Sequence, residues 1–303
     1  MIESGTHTPG VDARDFALPP QTALRYELPA PALRDYVADY HVLDSEGPDV
    51  EGAVNFLLPS WPAIRLILTD RPISLQVGPR VYDPLPRYAL YGTTSQAMRM
   101  TSNGGVTIGV ALKPSGWARL FDRRADLYRD RVAPLADVMA SAHIIELVAR
   151  LGASDRGPAV KGILDEFLER RLGPPHPDEP LIGRLTALIN DDETFDLATA
   201  CERVGLAPAT MRRVSLRHFG FPLKTLLIRT RFLRSFARIM MEGADYSSVA
   251  PGYYDASHFL RDANRFLGMT PKRFLQRTQN PYAQAVLRAR ALVTAADRAS
   301  RNR

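Results

Sequence analysis

The stretch at 204–272 repeats one small unit, whose two copies lie within GLAPATMRRVSLRHFGFPLKTLL at 205–227 and GYYDASHFLRDANRFLGMTPKRF at 252–274. When the two copies are aligned at an offset of 48 residues, Arg213 matches Arg261 and Gly220 matches Gly268. At the other aligned positions, apolar side chains match apolar ones and small side chains match small ones. A repeated unit of this size is close to a helix–turn–helix motif. The two copies therefore predict two such motifs in one helical region.

Helix start and stop signals support this reading in both copies. In the first copy one helix ends at Gly205 and the next begins at Pro208 after a tight turn. In the second copy Asp255 is a suitable N-cap for a helix that runs to about Phe266. Each copy is thus expected to contain one helix that can enter a groove of DNA.

Helical spacing divides each of these helices into two faces. Met211 and Ser215 face inward in the first copy, and Phe259 and Ala263 take the same places in the second. Arginines remain on the outer faces, where they can bind guanine with two hydrogen bonds or contact a phosphate. The long helix predicted between the units, 222–242, spans about 30 Å, close to the distance of about 34–36 Å between successive major grooves.

The net charge of +6 is unevenly distributed. Residues 1–180 carry a net charge of −4 and residues 181–303 a net charge of +10. This asymmetry indicates that the C-terminal half meets a polyanion, with a solvated basic face as the alternative. The sequence has no apolar run long enough for a membrane span and no signal peptide at its start, so we expect a cytoplasmic protein with no membrane partner.

The N-terminal half is β-rich. Between residues 53 and 113, short apolar runs alternate with Pro, Gly, Asp and Asn, which favours an antiparallel sheet, sandwich or barrel. Three helices are expected in the next part of the sequence: one from Ser115 through LYRD at 127–130, one over 135–151 and one over 160–172. These helices either pair two copies of the chain, so that a homodimer is expected, or only cover the sheet.

The fold class predicted is therefore α+β in two domains. The proline-rich segment GPPHPDEP is the clearest linker. The expected organisation is a flexible arm (1–22), a β-rich regulatory domain with following helices (23–172), a linker (173–180), a DNA-binding domain with two helix–turn–helix units joined by a long helix (181–278) and a basic helical tail (279–303). We expect this tail to fray, with added phosphate contacts as the alternative.

Residues 190–277 resemble the AraC/XylS family of transcriptional regulators. The segment at 252–274 is similar to that family's C-terminal signature, and the segment at 205–227 is similar to its first helix–turn–helix. Two preceding segments, GTTSQAMRMTSNGGVTIGVALKPSGWARLF at 92–121 and LYRDRVAPLADV at 127–138, resemble a poorly characterised β-rich sensor segment found before such domains. The resemblance implies a regulatory domain, with a degenerate cupin-like barrel as one form, that binds a small molecule or pairs subunits.

This sequence departs from the family pattern at several inward positions. Family members usually carry Phe at Ser215 and Ala263, Leu at Met211, Ser at Ala207 and Ala at Ser248. Loss of the same aromatic residue in both units implies that other side chains fill the space, for which we expect Phe219, Phe221 and Phe266.

Other kinds of site have little support in the sequence. The six histidines never occur in a metal-binding spacing such as HxH or HExxH, so no metal and no cofactor is expected. The single cysteine, Cys201, is expected to be a buried structural thiol. No catalytic motif is recognisable, and no catalytic residue is assigned. Four aromatic residues are either core residues or the lining of a ligand pocket, namely Trp61, Tyr82, Tyr91 and Trp117.

The sequence thus predicts a DNA-binding transcriptional regulator that is not an enzyme, with double-stranded DNA and a small-molecule effector as partners. The alternatives are an architectural DNA-binding protein without a ligand and an enzyme tethered to DNA. The residues expected to read bases are Ala209, Arg212, Arg213, His258 and Arg261, with helix packing as the alternative for His258. The residues expected to contact phosphates are Arg217, Lys224, Arg229, Arg231, Ser257 and Lys272.

Overall fold

The computed structural model describes residues 1–191, 197–242, 253, 255–278 and 281–301. Its N-terminal part is built from two antiparallel sheets. The strands are β1 (Thr22–Glu27), β2 (Val37–Ser45), β3 (Ala53–Leu57), β4 (Ala63–Ile67), β5 (Ser74–Val77), β6 (Arg80–Tyr82), β7 (Tyr88–Tyr91), β8 (Met98–Ser102), β9 (Gly105–Leu112) and β10 (Val132–Pro134). One sheet has the order β1-β2-β9-β4-β7-β10 and the other the order β3-β8-β5-β6. The predicted alternatives of barrel and sandwich therefore resolve to a two-sheet sandwich.

The six-stranded sheet is buried on both faces, because its central strands carry apolar side chains in both directions. On β9, Val106 and Ile108 point to the covering helices, whereas Thr107 lines the space between the sheets. On β4, Leu66 points to the helices and Ile67 to the other sheet. This alternation gives the domain two cores, one on each side of the six-stranded sheet.

Three helices cover the outer face of the six-stranded sheet. They are α1 (Pro114–Leu120), α2 (Ser141–Ala153) and α3 (Ala159–Glu169). Two predicted helices are shorter than expected: the first ends at Leu120, and the second begins at Ser141 after a short 3₁₀ turn at Leu135–Asp137. The apolar faces of α2 and α3 are packed against the sheet. The helices thus cover the sheet of their own chain, and the pairing of two chains through them stays a prediction.

The first 22 residues are not the loose arm that their composition predicts. Phe16 is fully buried against the sandwich, and the backbone at Gly5 forms a bridge with Arg25 of β1. The His7 ring contacts the Glu27 carboxylate at 3.0 Å. A polar, glycine-rich segment is therefore held by one large apolar anchor and by pairing with an edge strand.

Every secondary-structure element of the C-terminal part, among the described residues, is a helix. Its helices are α4 (Glu179–Ile189), α5 (Leu197–Val204), α6 (Pro208–Phe219), α7 (Leu223–Glu242), α8 (Ala256–Leu267), α9 (Pro271–Arg277) and α10 (Tyr282–Arg301). Helix α4 begins within the segment predicted as a linker. The segment YSSVAP at 246–251, whose sequence also predicts a short helix, lies outside the described residues. None of the described helices is both long enough and apolar enough to span a membrane.

The basic tail forms α10, which is docked rather than frayed. Its apolar side packs Ala285, Ala289 and Val293 against Phe16 and the β1 strand. The Arg290 guanidinium donates to the buried Asp39 carboxylate at 2.7 Å. The helix therefore returns from the C-terminal part to the sandwich, and this arginine binds a carboxylate of its own chain.

Candidate nucleic-acid interface

Helix α6 presents the first set of predicted DNA-reading residues. Pro208 stands in its first turn, and Gly220, with a φ of 85°, ends it by donating its N–H to the Leu216 carbonyl. Met211 and Ser215 are fully buried, as the helical period predicts. The residues on its outward side are all exposed, namely Ala209, Arg212, Arg213 and Arg217.

Helix α8 presents the second set. The Asp255 carboxylate caps it by accepting from the His258 N–H at 2.7 Å. Phe259 and Ala263 are buried, whereas Ser257 and Arg261 are exposed. The His258 ring is half-buried and lies 5.2 Å from the Tyr253 ring. His258 therefore packs locally and also stands at the leading end of the helix, so both roles considered for it remain compatible with its position.

In the first unit, a hydrogen bond takes the place of the missing inward phenylalanine. The Ser215 hydroxyl is fully buried and donates to the Phe221 carbonyl at 2.6 Å, just beyond the end of its own helix. This bond satisfies a carbonyl that follows the glycine turn and would otherwise be buried without a partner. Phe219 and Phe221 fill the surrounding core, as the sequence predicts.

In the second unit, aromatic rings fill the corresponding space. Ala263 is fully buried in a cluster with Phe232 and Phe236 of α7 and Phe266 of its own helix. The Phe232 ring stacks on Phe236 at 5.7 Å and on Phe266 at 5.4 Å. Only a small residue at position 263 leaves room for these rings. Phe266 was expected here from the sequence, and the two rings from α7 were not.

The long helix α7 has 20 residues and begins one residue after the predicted start at 222, but one of its arginines is misassigned. Arg229 was expected to contact phosphate, and it is 2% exposed. Its guanidinium donates to the Thr94 carbonyl at 2.8 Å and to the Ser60 carbonyl at 3.2 Å, and it lies 4.4 Å from the centre of the Trp61 ring. Burial lowers its pKa to about 10. Arg229 therefore fastens α7 to the sandwich and is not available to DNA in this structure.

Arg231 is largely engaged within the second unit. It donates to the Asp262 carboxylate at 3.2 Å and lies 4.6 Å from the centre of the Tyr253 ring. Its side chain is 17% exposed. By contrast, Lys224 and Lys272 are exposed at the starts of their helices. These two lysines keep the surface position that a phosphate contact needs.

Both helix–turn–helix units pack against the N-terminal sandwich. At the first unit, the Trp61 and Phe219 rings meet edge to face at 6.0 Å. At the second, Phe56 of β3 lies 5.1 Å from Phe274 of α9, and both are buried in one cluster with α7 and α8. The outer side of β3, at the edge of the four-stranded sheet, is therefore covered by the second unit. Sequence patterns gave no sign of this, because the partners are far apart in the chain.

The four aromatic residues considered for a ligand pocket do not come together. Trp61 lies at the boundary with the helical part, and Trp117 is a core residue packed 5.1 Å from Phe121. The Tyr82 hydroxyl, at the edge of the four-stranded sheet, accepts from the Val132 N–H of β10 in the other sheet. Of the four residues, Tyr91 lines the space between the two sheets, and Tyr82 lines a separate open recess on the surface. The four residues therefore do not form one shared pocket, and a ligand role for any of them stays a prediction.

The space between the sheets is a narrow cavity of about 20 Å³. Its lining is mostly apolar, with Arg65, Tyr91 and Tyr282 as larger polar groups. Tyr282 is the first residue of α10, so the C-terminal helix supplies part of the lining. A volume of this size holds about one water molecule. The cavity is therefore filled by the protein's own side chains in this conformation.

A chain of buried polar groups leads from this cavity to the outside of the sheet. The Arg65 guanidinium contacts the His41 ring at 2.7 Å, and this ring lies 3.5 Å from the Asp39 carboxylate, which accepts from Arg290. Burial raises the pKa of Asp39, but the Arg290 guanidinium, His41 and the Tyr26 hydroxyl together hold that pKa below its ordinary value. Gly109, between the two strands, leaves room for the His41 ring. This series of polar contacts links α10 electrostatically to the sandwich.

Three further side chains that the sequence did not bring together lie close to one another. His176 and Asp178 belong to the predicted linker, and His218 belongs to α6. In the described part of the chain, they form a group whose potential ligand atoms lie within 4.8 Å of one another. The separation of about 40 residues between Asp178 and His218 hides them from any search for short metal-binding spacings.

The N-terminal sandwich matches a family model. The model described as Domain of unknown function (DUF6597) matches residues 25–134. This range runs from β1 to the end of β10 and covers roughly a third of the chain. It agrees with the predicted resemblance of this region to a poorly characterised sensor segment. None of the curated proteins matches the sequence.

Several solved structures are similar to the chain. ToxT from Vibrio cholerae with an unsaturated fatty acid bound has 12% identity and a TM-score of 0.46, and the match covers 86% of this chain and 97% of that chain. An apo ToxT variant from the same species has 11% identity and a TM-score of 0.44, over 86% and 99%. The AraC-like transcriptional activator CuxR has 12% identity and a TM-score of 0.26, over 72% and 88%.

Proposed function

We propose that this protein is a DNA-binding transcriptional regulator of the AraC type that acts in the cytoplasm. The observation that carries the proposal is the pair of helices α6 and α8. Each is buried on one side and presents an exposed arginine at the same place in the repeat, Arg213 in the first and Arg261 in the second. Two matched basic helices in a half of the chain with net charge +10 suit successive major grooves of one duplex.

We assign the contacts with DNA according to which side chains are exposed to solvent. Base readout is assigned to Ala209, Arg212, Arg213, His258 and Arg261, which lie along the outer or leading sides of the two helices. Phosphate contacts are assigned to the exposed residues Arg217, Lys224, Ser257 and Lys272. Because lysine and arginine contacts to phosphate release counterions, binding to DNA is expected to weaken steeply as salt increases.

The proposal is tested by comparing two arginines on the same helix. A high-affinity duplex is first selected from random sequences with the purified full-length chain. Arg261→Ala is then compared with Arg265→Ala, which removes the same charge from an exposed site nearer the end of α8. Arg261→Ala is expected to cost about 1–3 kcal/mol on the selected duplex, with a smaller loss on random duplex.

Two outcomes contradict this assignment. If Arg261→Ala weakens binding equally on both duplexes, Arg261 contacts phosphate and reads no base. If the wild-type chain shows no preference among sequences, the protein is the architectural DNA-binding protein considered as the alternative. Circular dichroism of each variant controls for loss of the helical structure.

We further propose that the sandwich controls the position of the two units. Trp61 packs on the first unit and Phe56 on the second, so movement of either contact changes the relation of both reading helices to DNA. Trp61→Ala is expected to change DNA affinity although it removes no charge. A variant that binds the selected duplex as tightly as the wild type would show that docking and DNA binding are independent.

A small-molecule effector that enters between the sheets has to displace a side chain. Tyr282 closes a cavity in which Arg65 is the cationic group, so an apolar molecule with an anionic group suits the space best. We expect Tyr282→Ala to bind the fluorescent anion 8-anilinonaphthalene-1-sulfonate more tightly than the wild type, and Tyr282→Ala with Arg65→Met to lose that gain. Equal fluorescence from all three chains would argue against an effector site here.

A further inference from the structure

Three potential metal ligands meet where the segment before α4 passes the end of α6. The His218 Nε2 atom lies 2.8 Å from the Asp178 Oδ2 atom, and the His218 and His176 rings meet edge to face at 4.9 Å. His218 is 3% exposed, whereas His176 and Asp178 are half-buried. The group is therefore fixed on its inner side and open to solvent on its outer side.

We propose that His176, Asp178 and His218 bind a divalent transition-metal ion, with Zn²⁺ as the preferred ion. Two imidazoles and one carboxylate are a common set of three protein ligands for zinc, and the fourth position of a tetrahedral site is then left to water. Imidazole nitrogen disfavours Ca²⁺ and Mg²⁺, which prefer oxygen ligands. Ni²⁺, Co²⁺ and Cu²⁺ share this ligand preference and are the competing ions.

One ligand distance requires only a small movement to accommodate the ion, and the other pairs, which lie within 4.8 Å, have to approach by up to about 1.5 Å. In a tetrahedral zinc site with bonds of about 2.0–2.1 Å, neighbouring ligand atoms lie about 3.3 Å apart. The His218 and Asp178 atoms would therefore separate by about half an ångström from their present 2.8 Å. The His176 Nδ1 atom now accepts from the Asp178 N–H at 3.0 Å, and binding through this nitrogen replaces that bond.

The neighbouring contacts hold the ligands in place. Glu179, next to Asp178, pairs with Arg119 of α1 in a bidentate arrangement that includes a 3.0 Å contact. The other ligand, His218, is held by α6, whose end packs on the sandwich through Phe219. The ion would thus bridge the segment at 173–180 and the first reading helix. The Arg213 charge acts on the Asp178 carboxylate, so a bound cation would also alter the surroundings of a predicted base reader.

Metal binding is tested on the full chain without an affinity tag, after removal of metals by a chelator. Isothermal titration with Zn²⁺ is expected to show one ion per chain, and Co²⁺ is expected to give visible absorption bands that Zn²⁺ abolishes. His176→Ala and Asp178→Asn should weaken Zn²⁺ binding at least about tenfold, since first ligands matter no less than the groups that orient them. His143→Ala, a histidine of α2 outside the group, is the matched control.

The thermal midpoint gives a second measurement. Zn²⁺ is expected to raise the melting temperature of the wild type and of His143→Ala, and to leave that of His176→Ala unchanged. His176 is half-buried, so its variant is expected to fold even where a His218 variant does not. Equal Zn²⁺ affinity in the wild type and His176→Ala, or no binding by the wild type, would overturn the proposal.

An effect of the ion on DNA affinity rests on the proposed function, and the binding of the ion does not. Zn²⁺ and the selected duplex are therefore titrated separately and together. Zn²⁺ binding by a chain that does not bind DNA supports the site and contradicts the regulator. DNA binding by a chain that does not bind Zn²⁺ contradicts only the site.

Discussion

Replacement of Arg229 by alanine tests whether α7 is fastened to the sandwich through a buried cation. Two charge-assisted hydrogen bonds to the Thr94 and Ser60 carbonyls contribute about 1.5–3 kcal/mol each. The contact with the Trp61 ring adds about 2 kcal/mol in a desolvated site. Burial opposes this gain, because it lowers the Arg229 pKa from 12.5 to about 10, which corresponds to about 3 kcal/mol. The net stabilisation is therefore about 2–5 kcal/mol.

Arg229→Ala is expected to lose this stabilisation and to remove the guanidinium donor from the Thr94 carbonyl, for a total of about 3 kcal/mol or more, whereas the Ser60 carbonyl still accepts from the Thr94 N–H. Urea unfolding followed by tryptophan fluorescence measures the effect, and Trp61 reports directly on this contact. Arg238→Ala is the matched control, since it removes an exposed arginine from the same helix and should stay within about 0.5 kcal/mol of the wild type. An Arg229→Ala chain with unchanged emission and a loss below about 1 kcal/mol would refute the reasoning.

Three further predictions concern side chains within the fold. Ser215→Ala should destabilise by about 1–2 kcal/mol, because the Phe221 carbonyl loses its donor, and a shift of the urea midpoint measures this. Gly109→Ala should cost about 1–3 kcal/mol, since a Cβ atom there would lie 2.3 Å from the His41 ring; an unchanged thermal midpoint would contradict the close approach. The folded-state pKa of Asp39 lies below its ordinary 3.8, so its carboxylate contributes stability above about pH 4 that is lost as the pH falls below that value. Asp39→Asn should therefore flatten stability against pH in this acid range.

The sequence was informative about local structure. Pro208, Asp255 and the glycines that end the helices act within a few residues of themselves, so the starts and stops of α6 and α8 followed from them. The period of 3.6 residues also separated buried Met211 from exposed Arg212 without knowledge of any partner. Most of the strands between 53 and 113 followed in the same way from short apolar runs bounded by turn residues.

Amino-acid composition gave wrong predictions for the two ends of the sequence, because a few specific contacts hold each end in place. A polar, proline-rich start predicts a loose arm, but a single buried Phe16 and a bridge at Gly5 hold it. A basic tail predicts fraying or phosphate contacts, yet an acidic partner for Arg290 lies on a strand 251 residues earlier. An average over a segment cannot reveal one partner at a distant position.

By itself, the sequence determined helices α6 and α8, their inward faces and the arginines that remain outside, because each depends on helical periodicity and on caps within one turn. The tertiary structure alone decided what surrounds them. It buried Arg229 beside Trp61 by bonds to carbonyls 135 and 169 residues away, and it brought His176 and Asp178 to His218 at the end of α6. Contacts of that range depend on how the sandwich and helices pack, and no local pattern encodes them.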